Sequence, residues 1–202
     1  MMPLKLKNTT LVCVDDSIDS YQTYKLFSTI NNLIQFDKQL FVSSKVKESN
    51  LKQVISSVED YSKFIIKDLN KHIDTEFVLI MQADGYPINL AAWRDDYFGY
   101  DYIGAPWYNQ PWPIDQTVGN GGFSLRSKKF LEHSSQLPYV SKTPEDVYLC
   151  REMGKHLRAE GIRFANHDMA YTFSVEDMPY KGQFGFHGKA TIAINKQFGI
   201  FK

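Results

Sequence analysis

The chain has 202 residues, 43% hydrophobic and 14% aromatic, and its 23 Lys and Arg balance its 23 Asp and Glu. That length and composition exclude a disordered chain and predict one domain that buries roughly 70% of its unfolded surface. Zero net charge argues against a nucleic-acid partner held by bulk electrostatics, and no apolar run reaches the roughly 18 residues needed to cross a bilayer. The first residues, MMPLKLKNTT, have no hydrophobic signal core, so a cytoplasmic protein is expected, with peripheral membrane association left open. Cys13 and Cys150, far apart and in different predicted elements, read as reduced, buried thiols in a reducing compartment.

Thr9 to Val14 reads as a first buried strand ending in Asp15 and Asp16. Ser17 to Phe36 is spaced as an amphipathic helix and Gln39 to Ser43 reads as a second strand. Leu51 to Ile73 reads as a second helix, with Leu51, Val54, Ile55, Val58, Tyr61, Ile65 and Leu69 keeping the period. Phe77 to Gln82 is nearly continuous in apolar and β-preferring residues and predicts a strand buried on both faces. Asp84 follows it, exposed by the turn at Gly85 and Pro87. Strand, helix, strand, helix, strand is the order of right-handed βαβ units, so residues 1–84 read as a nucleotide-binding half. Ligands bind beyond the carboxyl ends of strands in such sheets, where Asp15, Asp16 and Asp84 fall; a strand-ending Asp also simply caps a turn.

Residues 85–202 read as the acceptor and catalytic half of the same domain. Ala91 to Ile114, rich in aromatic residues, Pro and Gly, keeps no helical period and reads as loop and short strand. Its rings, among them Trp93, Trp107 and Trp112, belong to the core or form a stacking surface for a sugar or nucleobase. Arg94, Asp95 and Asp96 would hydrogen-bond such a ligand or merely solvate a turn. The GNGG segment at Gly119 to Gly122 is either a hairpin turn or a place where backbone approaches a ligand closely. A brief helix is predicted from Ser127 to His133, and a longer one opening at Thr143 or Pro144 and closed by Gly161. Glu145 and Asp146 at its start either complement the helix dipole or supply a general base. Strands are predicted to begin at Arg163 to Ala165 and at Tyr171 to Val175. His187, in the small-residue turn GFHG, is a candidate ligand for metal or phosphate.

Together, the strand-ending Asp84, the GNGGFS loop, the PED of Pro144 to Asp146 and His187 resemble four landmarks of GT-A-fold glycosyltransferases: the metal-binding DxD, the glycine loop, the xED motif and the C-terminal histidine. More narrowly, QAD, YDYIGAPW, GNGGFSLRS, PEDVYLCR, AYTFSVE and GFHG, spread over Leu11 to Gly188, are similar to a family of small bacterial and viral proteins described as glycosyltransferases. The resemblance implies an α/β fold that is GT-A-like and Rossmann-type, three α/β/α layers around a mixed, mostly parallel central sheet. It implies transfer of a sugar from a nucleotide diphosphate sugar, UDP-sugar favoured, to a hydroxyl of a glycan acceptor, as in polysaccharide biosynthesis, with Mn²⁺ or Mg²⁺ as cofactor.

Carried over by position, Asp84 and His187 would hold the metal, Asp146 would be the base of an inverting enzyme and Glu145 would orient the acceptor. Asp15 or Asp16 would sit near the base or ribose of the nucleotide. Gln82, Arg94, Trp107, Asn120, Gly121 and Gly122 would meet the donor or acceptor. Gln82 stands where the first Asp of DxD is expected, so one carboxylate replaces two, and Arg94, Arg126 or Lys189 would help offset charge on the departing diphosphate. The alternative is a nucleotide-sugar or glycan-binding module without turnover. A sugar-1-phosphate nucleotidyltransferase is disfavoured, because the loop VDDSIDSYQ after the first strand is acidic and lacks glycine.

Overall fold

The computed structural model describes residues 3–108, 113, 116–140 and 142–188; Trp112, Ile114 and Lys189, named above, lie outside them. β1 (Leu4–Val14), α1 (Ser20–Leu33), β2 (Ile34–Val42) and β3 (Phe77–Met81) follow the predicted βαβ order. Between β2 and β3 runs α2 (Val58–Lys63), which widens into a π turn at Phe64–Asp68 and tightens into a 3-10 turn at Leu69–His72. β4 (Gly85–Pro87), β5 (Tyr102–Gly104), β6 (Ser124–Ser127) and α3 (Lys128–Gln136) come next. α4 (Glu145–Val147) continues through a π turn at Tyr148–Glu152 into α5 (Gly154–Ala159), and α6 (His167–Phe173), β7 (Ser174–Val175) and β8 (Gly185–His187) complete the described elements.

The main sheet has the order β2-β1-β3-β6-β5, with β1 parallel to β2 and to β3, and β6 antiparallel to both β3 and β5. Alternation along the strands divides its core in two. Leu11, Cys13, Leu79 and Met81 face one layer with Phe27 and Ile30 of α1, while Val12, Val14, Val78 and Ile80 face the other with Phe64, Ile65 and Phe130. This is the three-layer α/β/α arrangement with a mixed, mostly parallel sheet. A smaller sheet, β4-β8-β7, packs Tyr86, Val175 and Phe186 into the first layer. Cys13 and Cys150 are both buried free thiols, and burial raises the pKa of each.

Four local expectations need correction. The first helix ends at Leu33, because Ile34 to Phe36 already belong to β2 and pair with Leu4 to Leu6. The predicted helix from Leu51 starts only at Val58: Ser57 caps it by accepting from the Asp60 amide, Leu51 bridges to Val42, and Ile55 donates its amide to Asp16. Those tertiary bonds hold 51–57 out of a helix despite its helical spacing. Tyr171 to Phe173, rich in β-preferring residues, are helical because Asn166 caps α6 through the Met169 amide, leaving only Ser174 and Val175 as strand. Arg163 to Ala165 contribute a single bridge, Phe164 to Tyr102, in place of a strand.

Sheet order positions everything that follows. Parallel β1, β2 and β3 end together, delivering Asp15, Ser43 and Gln82 to one edge. β6 is antiparallel and Ser124 pairs with Ile80, so the glycine loop before β6 arrives at that same edge. β8 pairs with β4 in the register Gly85 to His187, which brings the imidazole beside Asp84 from over a hundred residues away.

Candidate functional site

At that edge lies a cavity of about 1090 Å³. Its wall is drawn from every segment that the sheet order collects: Asp15 and Asp16 after β1, Ser44 and Lys45 after β2, Val54 to Ser62 leading into α2, Gln82, Gly121 and Gly122, Pro144 to Val147, and His187. Of the residues singled out from sequence, Asp15, Asp16, Gln82, Gly121, Gly122, Glu145, Asp146 and His187 therefore share one wall. Asp84 stands next to it, with its Oδ1 3.5 Å from His187 Nε2.

The two glycines separate two clusters of charge. A Cβ on Gly122 would lie 2.0 Å from His187 Nε2 and 2.6 Å from Gln82 Oε1, and one on Gly121 would lie 1.7 Å from Glu145 Oε1. Any side chain at either position would displace those groups. The glycines serve close approach of side chains to backbone, a use of the missing Cβ that the turn reading does not include.

On the Gly122 side, His187 Nε2 lies 3.0 Å from Gln82 Oε1, and its Nδ1 is 3.8 Å from Glu176 Oε1. Burial acts to lower the His187 pKa, but Glu176, Asp84 and Asp146 outweigh it, and the imidazole is held more basic than usual. On the Gly121 side, Asp146 Oδ2 accepts from the Gly121 amide at 3.1 Å and Oδ1 from the Val147 amide at 2.9 Å. Each oxygen keeps acceptor capacity towards the cavity, since a carboxylate takes about four hydrogen bonds.

Glu145 is otherwise placed than a group free to orient an acceptor. Both its oxygens receive the buried Arg126, Oε1 from Nη2 at 2.6 Å and Oε2 from Nη1 at 2.9 Å. Burial raises the Glu145 pKa against the pull of the guanidinium. For Arg126, burial acts to lower the pKa and Glu145 reverses it, so the net shift is upward and the guanidinium stays charged.

Asp16 is likewise engaged by protein. It accepts from the Ser43 hydroxyl, the Ser44 amide and hydroxyl, and the Lys45 and Ile55 amides. The knot ties the loop after β2 to the stretch before α2, so Asp16 builds the cavity wall. Asp15 Oδ1 accepts from the Ser17 amide at 2.8 Å.

Three expected ligand contacts lie off the wall. Arg94 is exposed and binds Asp96 two residues on, which is the turn-solvating reading. Trp107 is a core ring, packed on Gly119 with the Arg151 guanidinium 3.9 Å from its centroid. Asn120 is buried with φ +61°, a conformation that Asn tolerates better than most, and among the described residues neither polar atom of its carboxamide has a hydrogen-bond partner. Conversely, the wall from Val54 to Ser62 was missed. Its signal was the Ser57 to Asp60 spacing, a capping-box pattern that starts the helix at Val58 and frees the preceding residues to line a cleft.

A family model described as a protein of unknown function (DUF5672) matches residues 44–187, and the chain belongs to that family. Among solved structures it is similar to one titled as a glycosyltransferase involved in the glycosylation of the major capsid of PBCV-1. The two share 14% identity over 96% of this chain and 99% of the other, with a TM-score of 0.56, a likeness of fold. A second, A197 from STIV, is 14% identical over 79% of this chain and 82% of its own, and its TM-score of 0.42 is too low to carry an argument. No curated protein matches. The fold is thus α/β and GT-A-like. Among the described residues, no helix is long and apolar enough to cross a membrane.

Proposed function

We propose that this protein transfers a sugar from a nucleotide diphosphate sugar to an acceptor hydroxyl, with Asp146 as general base. The observation that carries this reading is the meeting of Asp146 and His187 on one cavity wall, either side of Gly121 and Gly122, with Asp84 3.5 Å from the imidazole. A carboxylate with spare acceptor capacity, fixed by two backbone amides, is suited to take the proton of a hydroxyl as it attacks.

The donor set fits a hard divalent cation. Asp84 Oδ1 and Gln82 Oε1 both face His187 Nε2, at 3.5 and 3.0 Å, offering two oxygens and a nitrogen at one spot. Among the described residues no three His, Cys, Asp or Glu gather as a complete cage, so substrate phosphates would have to complete the coordination of Mg²⁺ or Mn²⁺ here. When bound, such an ion would offset charge developing on the departing diphosphate. The wall itself favours that arrangement. With Glu145 neutralised by Arg126, Asp15, Asp16 and Asp146 still outnumber Lys45 and His187, so an incoming diphosphate would meet more acid than base. UDP-sugars are the favoured donors and a glycan hydroxyl the favoured acceptor on the resemblance alone. Arg94 and Trp107 have no role in this reading.

Calorimetry with a panel of nucleotide diphosphate sugars and Mn²⁺, followed by assay for released nucleoside diphosphate in the presence of a panel of glycan acceptors, tests the proposal. At least one donor should bind with a Kd within about 1 µM to 1 mM, weaken on chelation or in Asp84→Asn, and release nucleotide. Binding without release would assign a nucleotide-sugar-binding module in place of an enzyme. Absence of binding across the panel would overturn the reading.

A further inference from the structure

Arg126 is among the largest fully buried side chains of the protein, on β6, with its guanidinium over the rings of Tyr102 and Phe130 at 5.1 and 6.0 Å. Every nitrogen of that guanidinium is engaged. Nε donates to Ser124 Oγ at 3.0 Å, Nη1 to Glu145 Oε2, and Nη2 to both Glu145 Oε1 and the Gly121 carbonyl, the last at 3.3 Å. Ser124 Oγ also donates to the Gly121 carbonyl at 3.1 Å. The Gly121 residue is thus gripped through its carbonyl by Arg126 and Ser124, while its amide is the donor that fixes Asp146. Glu145, the other anchor of Arg126, is the residue immediately before Asp146, and its own amide donates to Ser62 Oγ of α2 at 3.2 Å.

From this geometry we propose that Arg126, acting through Glu145 and Gly121, is a positioning residue that sets the Asp146 carboxylate against the cavity. The activity readout of this proposal rests on the sugar-transfer reading. Two of the three restraints on Asp146, its chain neighbour and its hydrogen-bond donor, end on the same guanidinium. The network has no slack, because Glu145 Oε1 occupies the space where a Gly121 side chain would begin. A buried ion pair is a poor device for stability alone, since a well-packed apolar pair often serves as well. What an apolar pair cannot do is hold the Gly121 carbonyl and the start of α4 at fixed positions. A displacement of about 1 Å at reacting groups is enough to lose about 100-fold in rate.

The test compares wild type with Arg126→Lys and with the double variant Arg126→Met, Glu145→Met, by melting temperature, kcat and KM for nucleotide release, and hydrogen exchange at the Gly121 amide. The double variant should melt within about 5 °C of wild type, as a swap of similar volume that leaves no unpaired charge. Its kcat should fall about 100-fold while KM stays within about 3-fold, the signature of a lost transition-state arrangement. Arg126→Lys, which keeps the charge without the planar fork, should show an intermediate kcat. Exchange at the Gly121 amide should accelerate in both. A kcat within about 3-fold of wild type in the double variant, or unchanged Gly121 exchange in both variants, would overturn the proposal. If the double variant does not fold, Arg126→Lys carries the same comparison. A wild type that binds donors and releases no nucleotide would sink the sugar-transfer reading, and Gly121 exchange would then decide the clamp by itself.

Discussion

At the scale of single residues, the site is set by what is missing from Gly122 and by what surrounds Asp16. Gly122→Ala places a methyl 2.0 Å from His187 Nε2, so the imidazole and Gln82 must both move. Overpacking of that kind costs about 1–3 kcal/mol, and nucleotide release should fall by at least about 10-fold, measured by urea unfolding and steady-state assay. Asp16→Asn removes an acceptor that serves two loops and should cost about 1–3 kcal/mol at neutral pH. The pH dependence follows from the lowered pKa. Burial acts to raise it, but the Ser44, Ile55 and Ser43 donors outweigh that effect. Asp16 therefore contributes stability that is fully present above its unfolded pKa, about 3.9, and is lost as pH falls through the lower folded value. The deficit of Asp16→Asn in denaturant midpoints should be constant from neutral pH down to about 5 and shrink below about 4. Sequence placed Asp16 at the right edge but could not show its occupancy, because its donors at 43–45 and 55 are brought to it by tertiary structure.

At the scale of elements, both helices that border the cavity, α2 and α4, widen into π turns just beyond the residues that line it, a distortion that recurs at functional sites. Periodicity reads the apolar faces of such helices but not the extra residue in the turn, which is why the point where each ends was legible and its shape was not. The stretch before α2 was misread for the opposite reason. Val54, Ile55 and Val58 keep helical spacing, yet they line the cleft, with Val54 and Val58 63% and 64% exposed. Exposed apolar residues on a cavity lip contribute little to stability, so Val54→Asp and Val58→Asp should shift unfolding free energy by no more than about 0.5 kcal/mol. Under the sugar-transfer reading, each should raise KM for donor or acceptor and leave kcat less affected, as separate titration of the two substrates would reveal. Unchanged KM values for both would remove this lip from the substrate site.

At the scale of the whole molecule, one arrangement explains both the core and the site. Continuous apolar runs such as Val78 to Met81 are buried on both faces, so they predict a central strand with a layer on each side, and the two packed clusters are those layers. Once β1 and β3 are parallel neighbours, their carboxyl ends coincide, and the placement of Asp15 and Asp84 at one edge was legible from pattern alone. The approach of His187 was not. It depends on the antiparallel register of β8 with β4, set by two three-residue strands that carry almost no sequence signal of their own. The same holds for Arg126 and Glu145, whose pairing turns a residue expected to face the acceptor into part of the scaffold behind Asp146. The sugar-transfer proposal makes this edge of the sheet a transfer site with Asp146 as its base. Nucleotide release by Asp146→Asn, measured beside donor binding by calorimetry, tests it most directly. Binding should be retained and turnover reduced by about 10²- to 10⁴-fold. Turnover equal to wild type in that variant would contradict it.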